Sequence, residues 1–299
     1  MTPPPTSLVA STDGVEVAIH ELSPPARAGE GRDPRVPVVL IAPANGLCAT
    51  AYGPLARSLG PAVRCLGLDL RGHGSSVTPE GLDFAWRGFA DDVEAVLDRS
   101  DLLGQPPALV GVGHSLGGAA LLLASARRPG ALSALWLFEP IVPPPGRLPA
   151  GDHTNPIAEL AERRRATFPS AQAAFANYAA KPPFDALDPD ALRGYVDGGF
   201  APGPDGVTLR CRPAWEAAIF RGAAANGVWD ALPSVTVPVL VAMGRDEGPM
   251  APSGFAPPTA QRLARGELER HPTLGHFGPL EEPAAMAGSL SAWLASVRP

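Results

Sequence analysis

The chain has 299 residues, of which 45 % are hydrophobic and 18 % are charged, and its formal net charge is −6. This composition is typical of a globular protein that buries a large core. The negative charge argues against nucleic acid or an anionic membrane as the main partner, because both attract basic surfaces. The sequence contains no run of about 18 apolar residues, so we expect no membrane span.

Cysteine usage indicates the cellular compartment. Cys48, Cys65 and Cys211 are odd in number and widely spaced, which argues against a disulfide framework or a zinc site. We expect Cys48 to be a small buried residue, with a reactive thiol as the alternative. The first 12 residues lack the basic and apolar regions of a signal peptide. We therefore predict a cytoplasmic protein.

Apolar runs and helix-like stretches alternate along the chain. Residues 15–22 alternate in polarity and predict an early strand, and residues 23–35 predict a loop. Continuous apolar runs, typical of strands covered on both faces, follow at 36–42, 63–68, 108–112, 134–138 and 237–243. Helices are predicted at 84–103, 116–128 and 283–297. This alternation predicts an α/β fold with a mostly parallel, doubly wound central sheet.

The alternation stops between residues 143 and 233, where no strand run is evident. Helices are predicted there at 155–167, 171–180, 189–196 and 213–225. Because sheet-like sequence resumes afterwards, we interpret 143–233 as a mainly helical cap or lid inserted after the strand that ends near Phe138. Residues 1–142 and 234–299 then form the core domain. The alternative is a separate small domain.

Several side chains of this segment are candidates for an acyl pocket, or for the core of the cap itself: Phe168, Phe175, Tyr178, Phe184, Trp215 and Phe220. The run Arg163-Arg164-Arg165 is interpreted as a solvated helix face, with attraction of an acidic substrate as the alternative.

The segment Gly113-His114-Ser115-Leu116-Gly117 stands between an apolar strand and a predicted helix. A sharp turn at that point strains the serine backbone and requires small neighbours at 113 and 117. The turn exposes the serine hydroxyl above the edge of the sheet. It also places the N–H of Leu116 at a helix N-terminus, where an oxyanion is stabilised. We therefore predict Ser115 as a nucleophile.

In this context the motif resembles the nucleophile elbow of the α/β-hydrolase superfamily, and the resemblance extends over residues 36–297. It implies an α/β-hydrolase fold with a catalytic Ser, acid and His in that order. The segment Asn45-Gly46-Leu47 resembles the family's loop after the first central strand, which implies Leu47 and Leu116 as oxyanion-hole donors.

Two further motifs support the resemblance. The segment from Asp69 to Ser76 is similar to the family's D-x-R-G-x-G-x-S turn, whose role is structural. The Gly275-His276-Phe277 segment before the last helix matches the position of the family's catalytic histidine, which implies His276 as the base. No other histidine stands in a comparable context.

Three carboxylates compete to orient His276. The loop after the strand 237–243 offers Asp246, our first choice, and Glu247. Glu139 ends the strand before the insertion, 24 residues after Ser115, as the catalytic Glu of some haloalkane dehalogenases does. A carboxylate at the end of an apolar strand is costly to bury unpaired, and His276 would provide a partner.

The resulting hypothesis is a serine hydrolase that acts on an ester, thioester, lactone or ketone C–C bond of a small acyl substrate. The reaction passes through an acyl-enzyme intermediate and needs no metal or organic cofactor. The alternatives are an inactive ligand-binding protein of the same fold, and a perhydrolase or acyltransferase with the same triad.

Overall fold

The structure is a computed structural model that describes residues 7–23, 36–99, 103, 108–148 and 155–297. Most of the predicted loop 23–35 and the first six residues therefore lie outside the described residues. The strands are β1 (Ser7–Ala10), β2 (Glu16–Glu21), β3 (Val38–Ala42), β4 (Arg64–Asp69), β5 (Leu109–His114), β6 (Ala134–Phe138), β7 (Thr167–Phe168), β8 (Phe200–Gly203), β9 (Gly206–Leu209), β10 (Val239–Met243) and β11 (Gly266–Arg270).

The helices are α1 (Gly53–Ser58), α2 (Trp86–Leu97), α3 (Leu116–Arg127), α4 (Pro156–Glu162), α5 (Ala171–Ala179), α6 (Pro189–Gly199), α7 (Pro213–Gly222), α8 (Val228–Ala231), α9 (Pro252–Arg262), α10 (Gly278–Glu281) and α11 (Pro283–Val297). Short 3₁₀ turns occur at Thr12–Gly14, Ala49–Tyr52, Phe184–Ala186, Ala223–Ala225 and Leu232–Ser234.

Eight strands form the central sheet in the order β1-β2-β4-β3-β5-β6-β10-β11. The pairs β1–β2 and β2–β4 are antiparallel, and every other neighbouring pair is parallel. The predicted fold class, a mostly parallel sheet flanked by helices, is confirmed. Each predicted apolar run contains or overlaps one of these strands, because strands covered on both faces carry apolar residues throughout.

Alternation along β3 shows how the sheet divides the core. Val38 and Leu40 pack into one apolar cluster, on the side of α2 and α3. Val39 and Ile41 pack into a second cluster, on the side of α1 and α11. Successive side chains of a strand point to opposite faces, so one sequence run supplies both layers.

The residues between β6 and β10 depart from the prediction in one respect. They contain the four predicted helices, α4 to α7, but also a three-stranded antiparallel sheet in the order β7-β9-β8. These strands have only two, four and four residues, and Pro202 and Gly206 interrupt their pattern. Their pairing is therefore set by tertiary contacts that no local run reveals. Phe168 and Tyr195 of this inserted segment pack into the second cluster of the core.

The parallel strands β3, β5, β6 and β10 end at the same edge of the sheet. The residues that follow them are the loop from Pro43, Ser115, Glu139 and Gly244. In open α/β sheets this edge is where ligands bind. The topology thus brings together the candidate residues that the sequence places far apart.

Candidate active site

Ser115 forms the turn between β5 and α3 with φ 54° and ψ −114°, a region that side-chain-bearing residues rarely adopt. Such a conformation costs of order 1–3 kcal/mol and persists only where neighbours hold it. Here the Ser115 N–H donates to the Phe138 carbonyl at 3.0 Å, and the Ser115 carbonyl accepts from Ile141 N–H at 3.2 Å. The strained turn predicted at this motif is present.

The glycines that flank the elbow are required by close approach. A Cβ at Gly113 would lie 2.5 Å from the Cα of Gly118, and one at Gly117 would collide with the Ala42 carbonyl. The helix α3 therefore rests directly on β5 and on the end of β3. This contact brings the loop after β3 beside Ser115.

His276 lies in the turn before α10, and its Nδ1 is 2.6 Å from Oε2 of Glu139. The second oxygen of Glu139, Oε1, accepts the Gly244 N–H at 2.8 Å. The Glu139 side chain is only 2 % exposed, so it is desolvated but bonded at both oxygens. An ionised carboxylate only accepts hydrogen bonds, so Nδ1 of His276 carries the proton and Nε2 of the neutral ring is left as a base.

The structure does not bring Asp246, our first choice of acid, into contact with His276. Asp246 is exposed and accepts the Gly248 N–H at 2.9 Å, which closes a local turn. Glu247 is also exposed and pairs with Arg245 at 3.2 Å. Neither is among the described contacts of His276. The loop after β10 instead contributes a backbone N–H, that of Gly244, to the carboxylate of Glu139.

The loop after β3 also differs from prediction. The Leu47 N–H donates to the Ala44 carbonyl at 3.1 Å, and Gly46 has φ 79°, which together define a type II turn over residues 44–47. The Leu47 N–H, which we predicted as an oxyanion donor, therefore closes the turn in this structure. Sequence matching missed this because residue types alone do not show which amides of the turn are engaged.

Two other amides of the turn are also engaged. The Ala44 N–H donates to Tyr52 Oη at 3.1 Å, and the Gly46 N–H donates to His73 Nε2 at 2.9 Å. Among the described contacts, this leaves the Asn45 N–H as the amide of the turn without an acceptor. Leu116 is the first residue of α3, so its N–H has no acceptor within the helix.

His73 belongs to the D-x-R-G-x-G-x-S motif and supports the turn. Its Nδ1 donates to the Arg71 carbonyl at 2.9 Å, which leaves Nε2 as the acceptor for Gly46. Burial lowers the pKa of His73, despite that bond to the carbonyl. The motif itself is stabilised by a bidentate pair between Arg71 and the buried Asp92. Its role is structural, as the resemblance implies.

The inserted segment touches the same turn. The Glu216 carbonyl accepts Asn45 Nδ2 at 3.1 Å, and a Cβ at Gly46 would lie 2.7 Å from Glu216 Oε1. The Glu216 carboxylate pairs with Arg164 at 2.5 Å. Arg164 is therefore not on a solvated helix face, unlike the exposed Arg163 and Arg165.

Only one of the six candidate pocket aromatics lies beside the histidine turn. The Phe184 ring is 5.6 Å from that of Phe277, which in turn is 5.5 Å from His276. The other five have contacts elsewhere: Phe168 with Phe200, Tyr178 with Tyr195, Phe175 with Arg193, Trp215 with Phe84, and Phe220 with the small cluster around Ala158.

The structure also bears on the predictions for a reactive thiol, a metal site and a membrane span. Burial raises the pKa of Cys48 to about 12, which does not suit a reactive thiolate. Within the described ranges, no group of three or more His, Cys, Asp or Glu side chains is arranged to hold a metal ion. Over those ranges, no helix has both the length and the apolar character needed to cross a membrane.

Comparison with known proteins identifies the family. The profile of the alpha/beta hydrolase family matches residues 38–289. The chain belongs to this family. A comparison with curated protein sequences finds no match.

Solved structures of alpha/beta hydrolases resemble the chain over nearly its whole length. E-2-(acetamidomethylene)succinate hydrolase has a TM-score of 0.73 at 20 % identity, with 97 % of this chain and 98 % of that chain covered. A thermophilic esterase from Thermogutta terrifontis has a TM-score of 0.66 at 20 % identity, with 98 % of this chain and 99 % of that chain covered. The peroxisomal alpha-beta-hydrolase from Saccharomyces cerevisiae has a TM-score of 0.74 at 16 % identity, with 99 % of this chain and 86 % of that chain covered. At these identities the likeness shows the fold alone.

Proposed function

We propose that this alpha/beta hydrolase is a serine hydrolase that cleaves an ester-like bond of a small acyl substrate. The observation that carries the proposal is the 2.6 Å bond between His276 and Glu139 at the same sheet edge as the strained Ser115 turn. An activated nucleophile needs a base oriented by a third group, and these three residues fit those roles. The proposal assigns Ser115 as nucleophile, His276 as base and Glu139 as acid.

The reaction follows from these roles. The Ser115 Oγ attacks the acyl carbon while His276 Nε2 takes its proton, and Glu139 stabilises the imidazolium that forms. Collapse of the tetrahedral intermediate transfers that proton to the leaving group and leaves an acyl-serine. A water molecule then gives its proton to Nε2 and attacks the acyl carbon, which releases the acid and restores Ser115.

Two amides are proposed to stabilise the oxyanion. Leu116 N–H is at the positive end of α3, and Asn45 N–H belongs to the turn that rests on the elbow. Preorganised donors of this kind are worth about 10²–10³-fold in kcat each. The Asn45 Nδ2 donates to the Glu216 carbonyl at 3.1 Å, which holds the side chain toward the inserted segment.

We also propose that residues 143–233 form a cap over this site, with 149–154 outside the described residues. The contacts of Phe184 with Phe277, and of Glu216 with Asn45, support this proposal. Cytoplasmic location stays a prediction, and the three free cysteines are compatible with it. The esterase, lactonase and thioesterase names among the structural neighbours support an ester-like substrate class.

A fluorophosphonate probe tests the proposal directly. We expect it to label the native protein and to fail on Ser115→Ala, while Ser125→Ala, which removes another buried serine hydroxyl from α3, is labelled like the native protein. A burst of p-nitrophenol from p-nitrophenyl butyrate would report the acyl-enzyme. Absence of labelling in the native protein, or labelling that survives Ser115→Ala, would refute the assignment and favour a ligand-binding role.

A further inference from the structure

A buried chain of hydrogen bonds connects the turn after β3 to the catalytic histidine. The Ala44 N–H donates to Tyr52 Oη at 3.1 Å, and Tyr52 Oη is 2.7 Å from His114 Nδ1. His114 Nε2 is 2.8 Å from the carbonyl oxygen of His276. Tyr52 and His114 are each 1 % exposed. The proposed reaction uses neither side chain.

The proton positions in this chain are set from its two ends. The His276 carbonyl can only accept, so His114 Nε2 carries a proton. In the neutral ring Nδ1 then accepts, so the Tyr52 hydroxyl donates to it and accepts from Ala44. Burial, and then the charge of nearby His276, lower the pKa of His114 well below its usual value. Every polar atom of the two side chains is thus bonded in one fixed direction.

The packing around His114 does not by itself require a histidine. Its ring meets Phe138 at 6.0 Å and Phe277 at 5.9 Å, both edge to face, as a phenylalanine ring would. An imidazole is costly to bury unless its nitrogens are bonded. What histidine adds at this position is the pair of bonds, one toward the turn and one toward His276.

We propose that Tyr52 and His114 are positioning residues. They hold the turn of residues 44–47 and the backbone of His276 in fixed positions on either side of Ser115. His114 directly precedes Ser115 in the chain, and its ring lies 4.9 Å from that of His276. The inference rests on the proposed hydrolase function. A misplacement of about 1 Å in such a site costs roughly 10²-fold in rate.

Three substitutions separate the hydrogen bonds from the packing. His114→Phe keeps an aromatic ring and removes both bonds. Tyr52→Phe keeps the ring and removes the hydroxyl. His114→Gln keeps an acceptor and a donor on one side chain. The control is Thr259→Val, which removes a fully buried hydroxyl that donates to the Phe255 carbonyl within α9 and has no described bond to a proposed site residue.

We expect His114→Phe to lower kcat roughly 100-fold and Tyr52→Phe roughly 10-fold, with KM within about twofold of native. Because the two side chains act as one unit, the double variant should be no slower than His114→Phe alone. His114→Gln should recover most of the rate. Thr259→Val should keep native kcat even if its free energy of unfolding falls. Assays are made at a temperature where every variant is folded.

The proposal is overturned if His114→Phe keeps kcat within threefold of native, if the two phenylalanine variants combine additively, or if His114→Gln is as slow as His114→Phe. A second readout is independent of catalysis. In ¹⁵N–¹H NMR spectra of the native protein we expect His114 as the neutral Nε2–H tautomer, converted or made mobile by Tyr52→Phe. If the fluorophosphonate probe does not label the native protein, the proposed hydrolase function is refuted. The NMR measurement of the His114 tautomer then still tests the hydrogen-bond chain independently.

Discussion

Strands β6 and β10 are neighbours in the sheet, and each ends in a loop that carries carboxylates. Glu139 after β6 has φ 43° and is almost completely buried, with one oxygen on His276 and the other on Gly244 N–H. The carboxylates of Asp246 and Glu247 after β10 are exposed and, among the described contacts, bond within their own loop. Both loops offered candidate acids in the sequence, yet only the loop after β6 has a described contact between its carboxylate and His276.

The difference shows what prepares a carboxylate to orient a histidine. An ion taken out of water is tolerated only where its bonding is complete, and Glu139 meets this condition with one bond from each side. The loop after β10 takes part through its backbone, since Gly244 supplies one of those bonds. The two loops therefore act together, one as the carboxylate and the other as its support.

The largest effect is expected from Glu139→Gln. The amide would present an N–H to Nδ1 of His276 and favour the wrong tautomer, so we expect kcat to fall roughly 10³–10⁴-fold with the fold retained. Asp246→Asn and Glu247→Gln, the matched controls on the exposed loop, should stay within twofold. Steady-state kinetics measures kcat for each variant, and circular dichroism checks that each variant is folded. A collapse of Asp246→Asn beside an active Glu139→Gln would reverse the comparison.

The end of β3 extends the comparison to a third loop, where the proposed functional group is the backbone amide of Asn45. Asn45→Pro deletes the N–H, and proline is favoured at the second position of a type II turn, so the turn should survive. We expect a loss of about 10²–10³-fold in kcat. Asn45→Ala, which keeps the N–H and loses the bond to Glu216, should lose far less. Equal losses in the two variants would assign the effect to the side chain and contradict the oxyanion role.

The smallest effect concerns stability against pH. Burial lowers the pKa of His73 in the folded protein, so the folded state takes up its proton less readily than the unfolded chain. Its contribution to stability is complete above the unfolded pKa of about 6.5 and is lost as the pH falls from there toward the folded value. Urea unfolding between pH 8 and pH 5 should show this decline.

The slope from one histidine is at most about 1.4 kcal/mol per pH unit. His73→Gln should flatten the decline, whereas Asp246→Asn on the exposed loop should leave it unchanged. An unchanged slope in His73→Gln would show that His73 does not contribute to it.

The sequence predicted features that depend on local pattern. The apolar run at β6 has the predicted bounds, and the turn at Ser115 lies between a strand and a helix as expected. Features that depend on contacts distant in sequence were missed. These are the strands β7 to β9 and the pairing of Arg164 with Glu216.

The acid illustrates both outcomes. The cost of burying Glu139 at the end of an apolar strand is readable from the sequence and favoured it as a partner of His276. The exposure of Asp246 depends on how the loop after β10 leaves the sheet, which a motif register does not encode. The cost of burial and the spacing from Ser115 both favoured Glu139, whereas the register of the loop after β10 favoured Asp246.

The contact between Glu216 and the turn at Asn45 limits how this protein can be recombined. The turn and the inserted segment share a hydrogen bond and a close approach at Gly46, where a side chain has no room. Exchanging the inserted segment alone for that of another hydrolase would strip the turn of these partners. An active chimera would need residues 44–47 to be exchanged together with the inserted segment, because the turn and the segment depend on each other's contacts.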